Sequence, residues 1–184
     1  MLNNILFALF FFLPAGVANT TPVIIAKLPV LKNFNYPLDF YKSFKGTRVF
    51  GDHKTIRGLV AGILAGTVSV YIETAIYNNS SLIQKASPIN YTTMEPLLLG
   101  FLLSFGALAG DFMKSFFKRR ANIMPGKTWI PFDQIDYILG GILFSYVYIQ
   151  LDFVHYLYIL VIWATLHPIS TIFAYFVKLK DTPI

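Results

Sequence analysis

The chain has no cysteine, which excludes both a disulfide framework and a thiolate metal site. It is also poor in charge. Only 13% of its 184 residues are Asp, Glu, Lys or Arg, about half the usual share in a soluble domain. Acidic side chains are the scarcer kind, nine against fifteen basic ones. No internal repeat or low-complexity linker divides the sequence, and its length suits a single domain over 1–184. What is abundant is apolar: 55% hydrophobic residues, including 18 Phe and 11 Tyr, with a mean hydropathy of +0.59. A water-soluble fold of this size cannot hide so much apolar surface, so lipid must be the solvent for much of it. The formal net charge of +6 would suit nucleic acid in a soluble protein. In a membrane chain it reads as loop charge, and no nucleic-acid partner is expected.

Five apolar stretches follow one another. They run from Leu2 to about Leu31, interrupted by Pro14 and Pro22, then over about 59–77, 96–117, 135–151 and 153–177. Most approach the ~20 residues that a helix rising ~1.5 Å per residue needs to cross ~30 Å of hydrocarbon. The fourth is short and needs local thinning or a tilted neighbour. The first reads as a helix or a broken hairpin, because a signal peptide would begin with Lys or Arg. The expectation is an all-α polytopic protein with about five transmembrane helices. Gly58, Gly62 and Gly66 on the second stretch, and Gly106 and Gly110 on the third, recur every four residues. That spacing lets membrane helices approach closely.

Basic residues set the orientation. Lys27, Lys32, Lys42, Lys45, Arg48, Lys54 and Arg57 surround the first loop, and Lys114, Lys118, Arg119, Arg120 and Lys127 surround the third. Lys178 and Lys180 form the tail, whereas the second loop holds only Lys85 and the fourth none. By the positive-inside rule, the loops over about 32–57 and 118–134 and the C-terminus are cytoplasmic, and the N-terminus is outside. The expected location is the cell membrane, with any chemistry on its cytoplasmic side.

The acids and bases of those two loops are the candidates for chemistry. Asp111 sits near the inner end of an apolar helix, where a carboxylate is costly without a partner. Asp133 and Asp136 open the next helix at i and i+3, so they share a face. Read structurally, Asp133 is an N-cap and Asp136 a partner of the helix dipole. Read functionally, the three carboxylates form a divalent-cation site of the kind Mg²⁺ takes together with substrate phosphates. Lys114 and Lys118, at i and i+4 with Ser115 between them, and the following Arg119 and Arg120 are either a snorkelling stop-transfer cluster or a phosphate clamp. The same choice covers Lys54 and Arg57 beside Asp52 and His53. Gly51 and Gly58 either allow close backbone approach or end and start elements. Glu73, His155 and His167 lie inside apolar stretches and are expected to make structural hydrogen bonds. Trp129 reads as an interfacial anchor or a platform for a nucleobase.

The stretch Gly51-Asp52-His53-Lys54-Thr55-Ile56-Arg57-Gly58 resembles the GDHKTxRG motif of the CDP-archaeol synthase family. Pro37, Asp39, Gly46 and Arg48 fit the same family's first loop. Gly110-Asp111 through Ser115, Lys118-Arg119, Pro125-Gly126 and Asp133-Gln134-Ile135-Asp136 resemble its second motif region, itself similar to that of the phosphatidate cytidylyltransferases. The Lys-Asp pair and the His-Gly-Gly of the bacterial cytidylyltransferases are absent, with Lys127-Thr128-Trp129 in place of the latter. These departures favour the archaeol-type branch.

The resemblance implies a CTP-dependent cytidylyltransferase that makes CDP-lipid and pyrophosphate from CTP and a lipid phosphate. It further implies Mg²⁺ on Asp111, Asp133 and Asp136, with Lys118 joining them in catalysis. Asp52, His53, Lys54, Arg57, Lys114, Ser115 and Arg119 would bind the phosphates of CTP or lipid. A non-enzymatic transporter or scaffold that binds anionic headgroups is the alternative, and it would tolerate Asp111→Asn.

Overall fold

The structure is a computed structural model that describes residues 1–29, 32–124 and 127–178. Of the residues singled out above, Leu31, Pro125, Gly126 and Lys180 lie outside the described ones. The helices are α1 (Leu2–Lys27), α2 (Ile56–Asn79), α3 (Ser81–Ala86), α4 (Pro96–Arg120), α5 (Phe132–Tyr146) and α6 (Phe153–Phe176). Two short antiparallel strands, β1 (Ser43–Phe44) and β2 (Thr47–Arg48), form a hairpin in the first loop.

Four helices, α1, α2, α4 and α6, are long and apolar enough to cross a membrane, and the protein is an integral membrane protein. The fourth apolar stretch makes a shorter helix than the other four. α5 has 15 residues, about 22 Å at ~1.5 Å per residue. It begins three residues before the expected start and stops at Tyr146, because the chain turns there. Val147, Tyr148 and Ile149 donate back to the carbonyls of Phe144 and Ser145. Tyr156 then fixes the turn, its hydroxyl accepting from Leu151 N at 2.9 Å.

α1 is one helix rather than a hairpin, with Pro14 and Pro22 inside it. A proline removes one N–H from the ladder, and membrane helices tolerate that where neighbours cover the freed group. At Pro22 a glycine of α2 gives that cover, and a second glycine lets the two backbones close up beside Pro14. A Cβ on Gly62 would come within 2.8 Å of the Ala18 carbonyl, which Pro22 leaves without its helical donor, and one on Gly66 within 2.7 Å of the Pro14 carbonyl. α1 thereby becomes the central helix, packed against α2, α4, α5 and α6. Its Phe7, Phe11, Phe12 and Ala15 are buried in the core with Leu103, Tyr137 and Ile159.

α4 and α5 meet even more closely. A Cβ on Gly110 would lie 2.2 Å from the Asp136 carbonyl oxygen, and one on Gly140 2.2 Å from that of Gly106. The two backbones are in contact, as the spacing of Gly106 and Gly110 predicts. Asp111 and Asp136 are therefore neighbours across the α4–α5 seam.

The intramembrane polar residues are less satisfied than expected. Among the described residues, neither oxygen of buried Glu73 has a hydrogen-bond partner, and neither does Nδ1 of His155. His155 packs edge-on against Phe7 instead.

Candidate active site

The polar end of the bundle gathers the ends of five helices. Thr55 starts α2 by accepting from Gly58 N at 3.1 Å. The first loop is stapled alongside, with Leu38 N donating to Lys54 O at 2.7 Å and Ile56 N to Tyr36 O at 2.9 Å.

Asp39 organises that loop. Its carboxylate accepts from Arg48 Nη2 at 2.6 Å, from Arg48 Nε at 3.2 Å, and from the backbone N–H groups of Phe50 and Gly51 at 3.0 and 3.1 Å. Gly51 takes φ +104°, a conformation that suits glycine. Burial tends to raise the Asp39 carboxyl. The hydrogen bonds from Arg48, Gly51 and Phe50 outweigh it and hold the group down at about 2 against an ordinary 3.8. A carboxyl lowered on folding contributes stability above its unfolded value and loses it as the pH falls through the folded one. The loop is therefore expected to stay packed as pH falls to about 4 and to loosen between there and about 2.

Arg120 locks the hairpin to α4. Its guanidinium donates to the carbonyls of Arg48 and Phe44 at 3.0 Å each and lies over the ring of Phe116 at 4.3 Å. Asp39→Asn and Arg120→Ala should each speed tryptic cleavage at Lys42 and Lys45 severalfold while the helical core melts near its original temperature. Unchanged cleavage of both variants would show that these contacts do not hold the loop.

Between the loop and the helices lies a cavity of about 600 Å³, within the size range of small-molecule sites. Lys114 is its hub. Its Nζ lies 3.1 Å from Asp111 Oδ1, 2.9 Å from Asp133 Oδ1 and 2.8 Å from Asp136 Oδ2. Lys54 reaches in from the loop to pair with Asp111 Oδ2. Lys118 sits 3.0 Å from Asp133 Oδ2. Asp133 is not the N-cap of α5. That position is Pro131, and Asp133 reaches back from inside the first turn to accept from Trp129 N while its own N–H donates to Trp129 O at 3.0 Å. Trp129 itself packs on Phe132, with ring centres 4.4 Å apart.

Eight of the residues expected at the site line this cavity: Asp52, His53, Lys54, Asp111, Lys114, Lys118, Asp133 and Asp136. Asp52 is mostly exposed and pairs with Arg48 at 2.7 Å. Three expected residues are off the wall. Ser115 turns its hydroxyl to the Asp111 carbonyl at 2.8 Å. Arg57 is buried, and Arg119, next to Lys118 in sequence, falls about 100° round the helix from it. The wall also holds residues the sequence did not single out for chemistry. Lys127 and Thr128 lie within the second motif region, between Gly126 and Asp133. Asn19 on α1 and His167 and Thr171 on α6 come from helices far from both motifs.

The three aspartates offer hard oxygen donors of the kind a divalent cation takes. They converge on one point, and an ammonium group holds it. Among the described residues, no three His, Cys, Asp or Glu stand at metal-holding geometry. The carboxylates would have to close from about 3 Å towards the ~2.0–2.1 Å of a Mg–O bond.

The family model for CDP-archaeol synthase matches residues 1–184. A CDP-archaeol synthase from Thermococcus onnurineus is 35% identical, the alignment covering 99% of this chain and 98% of that protein. One from Pyrococcus abyssi is 33% identical over 99% of each chain, and one from Methanocaldococcus jannaschii 32% over 98% of each. The fold is similar to a solved structure described as an intramembrane enzyme for archaeal membrane lipids biosynthesis. The TM-score is 0.66 and the identity 29%, covering 90% of this chain and 92% of that one. The chain belongs to the CDP-archaeol synthase family, the CTP-dependent cytidylyltransferases of archaeal lipid biosynthesis.

Proposed function

We propose that the cavity joins CTP to the phosphate of an archaetidic-acid-like membrane lipid, on the cytoplasmic side of the cell membrane. An oxygen of the lipid phosphate forms a bond to the α-phosphorus of CTP. The bond from that phosphorus to the bridging oxygen breaks, and pyrophosphate leaves with the electron pair. The products are CDP-lipid and pyrophosphate. The observation that carries this reading is the meeting of three lysines and three aspartates, from one loop and two helices, in one cavity.

The chemistry needs no strong base, because a phosphate monoester with a second pKa near ~6 is already an anion at neutral pH. The difficulty is to bring two anions together and to stabilise charge on the leaving pyrophosphate, which fixed cations do. Lys54 and Lys118 bind phosphate oxygens from opposite sides. Lys114 is held by the carboxylates until they are engaged elsewhere, and then adds a third ammonium. His53 and Asp52 position the loop that carries Lys54. Asp111, Asp133 and Asp136 would hold Mg²⁺, which when bound offsets the triphosphate charge and polarises phosphoryl oxygens.

The test is formation of CDP-lipid from labelled CTP by purified protein in vesicles, with unsaturated archaetidic acid offered beside phosphatidic acid. Product should require a divalent metal, and Asp133→Asn and Asp136→Asn should each lower turnover about 100-fold, or about 2.7 kcal/mol in the barrier. Full activity of both variants would sink the metal assignment. Absence of product with either lipid would sink the reaction.

A further inference from the structure

The amphiphilic substrate this reading requires must bring its phosphate to the lysines while its chains stay in the bilayer. A second cavity of about 220 Å³ lies where α1 meets α6. Its α1 side is formed by Leu13, Gly16, Val17 and Thr20, one face of that helix, and its α6 side by Trp163 and Leu166. Asn19 and His167 belong to the walls of both cavities. The apolar groove and the charged site thus adjoin at these two polar residues.

We propose that the α1–α6 groove receives a hydrocarbon chain of the lipid phosphate, and that Asn19 and His167 mark where its glycerol-phosphate enters the polar cavity. The inference rests on the cytidylyltransferase reading above and adds the path and the contacts of one substrate. The groove is a built surface. Trp163 is fixed by donating its Nε1–H to Ala8 O at 2.9 Å. Its ring lies so close over Gly16 that an added Cβ there would come within 2.4 Å of it. α6 has the smallest buried share among the four spans, and Leu13 on the groove wall is 43% exposed, so the groove opens on the outer surface of the bundle. The polarity changes in the order an amphiphile needs, from Leu13 and Val17 to Asn19 and on to Lys54 and Asp111. The side chain of Asn19 makes no hydrogen bond among the described residues, which leaves its amide free to donate to an ester or phosphate oxygen where the two cavities adjoin.

The chain has two tryptophans, so Trp129→Phe leaves Trp163 as the sole fluorophore inside the groove. The variant is placed in phosphatidylcholine vesicles containing a minor fraction of a lipid phosphate monoester brominated in its chains. The control carries the same fraction of phosphatidylcholine brominated in the same way. The phosphate monoester is expected to quench Trp163 severalfold more than the control. Unlabelled lipid phosphate should reverse the excess, and Val17→Phe, which narrows the groove, should abolish it. Equal quenching by the two brominated lipids overturns the proposal. CTP turnover in the same vesicles separates the levels. Turnover without excess quenching leaves the reaction standing and removes the groove, whereas absence of turnover with every lipid removes the reaction itself.

Discussion

Lys114→Met is expected to lower the melting temperature in a chelator and to regain most of it in Mg²⁺. In the native chain one ammonium touches Asp111, Asp133 and Asp136 within 3.1 Å. Removing it leaves carboxylates packed at the end of the α4–α5 seam with too little positive charge between them. Deleting one partner of a buried ionic cluster costs about 3–5 kcal/mol, because the remaining charge stays desolvated. The low end applies here, since Lys54 still pairs with Asp111 and Lys118 with Asp133. Methionine fills the space of the lysine stem, so the cost is that of the charge. If the three carboxylates take a divalent cation, they should take it more readily once the competing ammonium is gone. A cation at ~100 times its dissociation constant returns about 2.7 kcal/mol, close to what was lost. Thermal unfolding of the native chain, Lys114→Met and Lys118→Met, each with chelator and with Mg²⁺, measures this. Lys118→Met should cost less, because Asp133 keeps Lys114 and the Trp129 N–H. An equal loss for Lys114→Met with and without metal would show that the aspartates do not form a cation site. CDP-lipid formation by Lys114→Met should also fall even where Mg²⁺ restores stability, since the ammonium has a second task on the phosphates.

The parts of this arrangement that depend on composition and on near spacing are legible in the sequence. Apolar length marks the spans, and glycine periodicity marks their contacts. The bias of Lys and Arg picks out the two loops that do meet at one end of the bundle. Parts that depend on tertiary neighbours are not legible. Lys114 reads in sequence as the i, i+4 partner of Lys118, whereas in space it serves three carboxylates on two helices. Arg120 belongs to a snorkelling run by sequence, yet it donates to carbonyls more than seventy residues earlier. Arg119 and Arg57 carry the expected charge but do not line the cavity. Asn19 and His167 reach the cavity only because α1 runs through the centre of the fold, a position its two prolines argue against until Gly62 of α2 is seen to cover the carbonyl that Pro22 opens. Residue type and linear spacing identified the elements of the site. Helix phase and packing decided which of them share a wall.

Gly110 is where packing and chemistry meet, and Gly110→Val should damage both. An added Cβ would lie 2.2 Å from the Asp136 carbonyl oxygen and 2.9 Å from the Asp136 carbonyl carbon. Both are backbone atoms inside a helix, so no side chain can swing aside, and α5 has to move away from α4. Overpacking of this kind costs about 3 kcal/mol, or about 6–12 °C at ~2–4 °C per kcal/mol for a chain of this length. The displaced residue carries one carboxylate of the site, and the residue after Gly110 carries another. The separation of Asp111 from Asp136 therefore grows with the strain. Turnover should fall by more than the loss of folded protein explains, because a misplacement of ~1 Å in a reacting constellation costs about 100-fold. Gly110→Ala should show the same two losses in smaller measure. Phe101→Val, on the lipid-facing side of the same helix, should show neither. Melting temperature and turnover per folded molecule, measured across the three variants, decide the matter. If Gly110→Val keeps its turnover once folded, the α4–α5 contact is a packing device alone and the carboxylates do not depend on it for their geometry. If both fall together, the contact also sets the spacing on which the site depends.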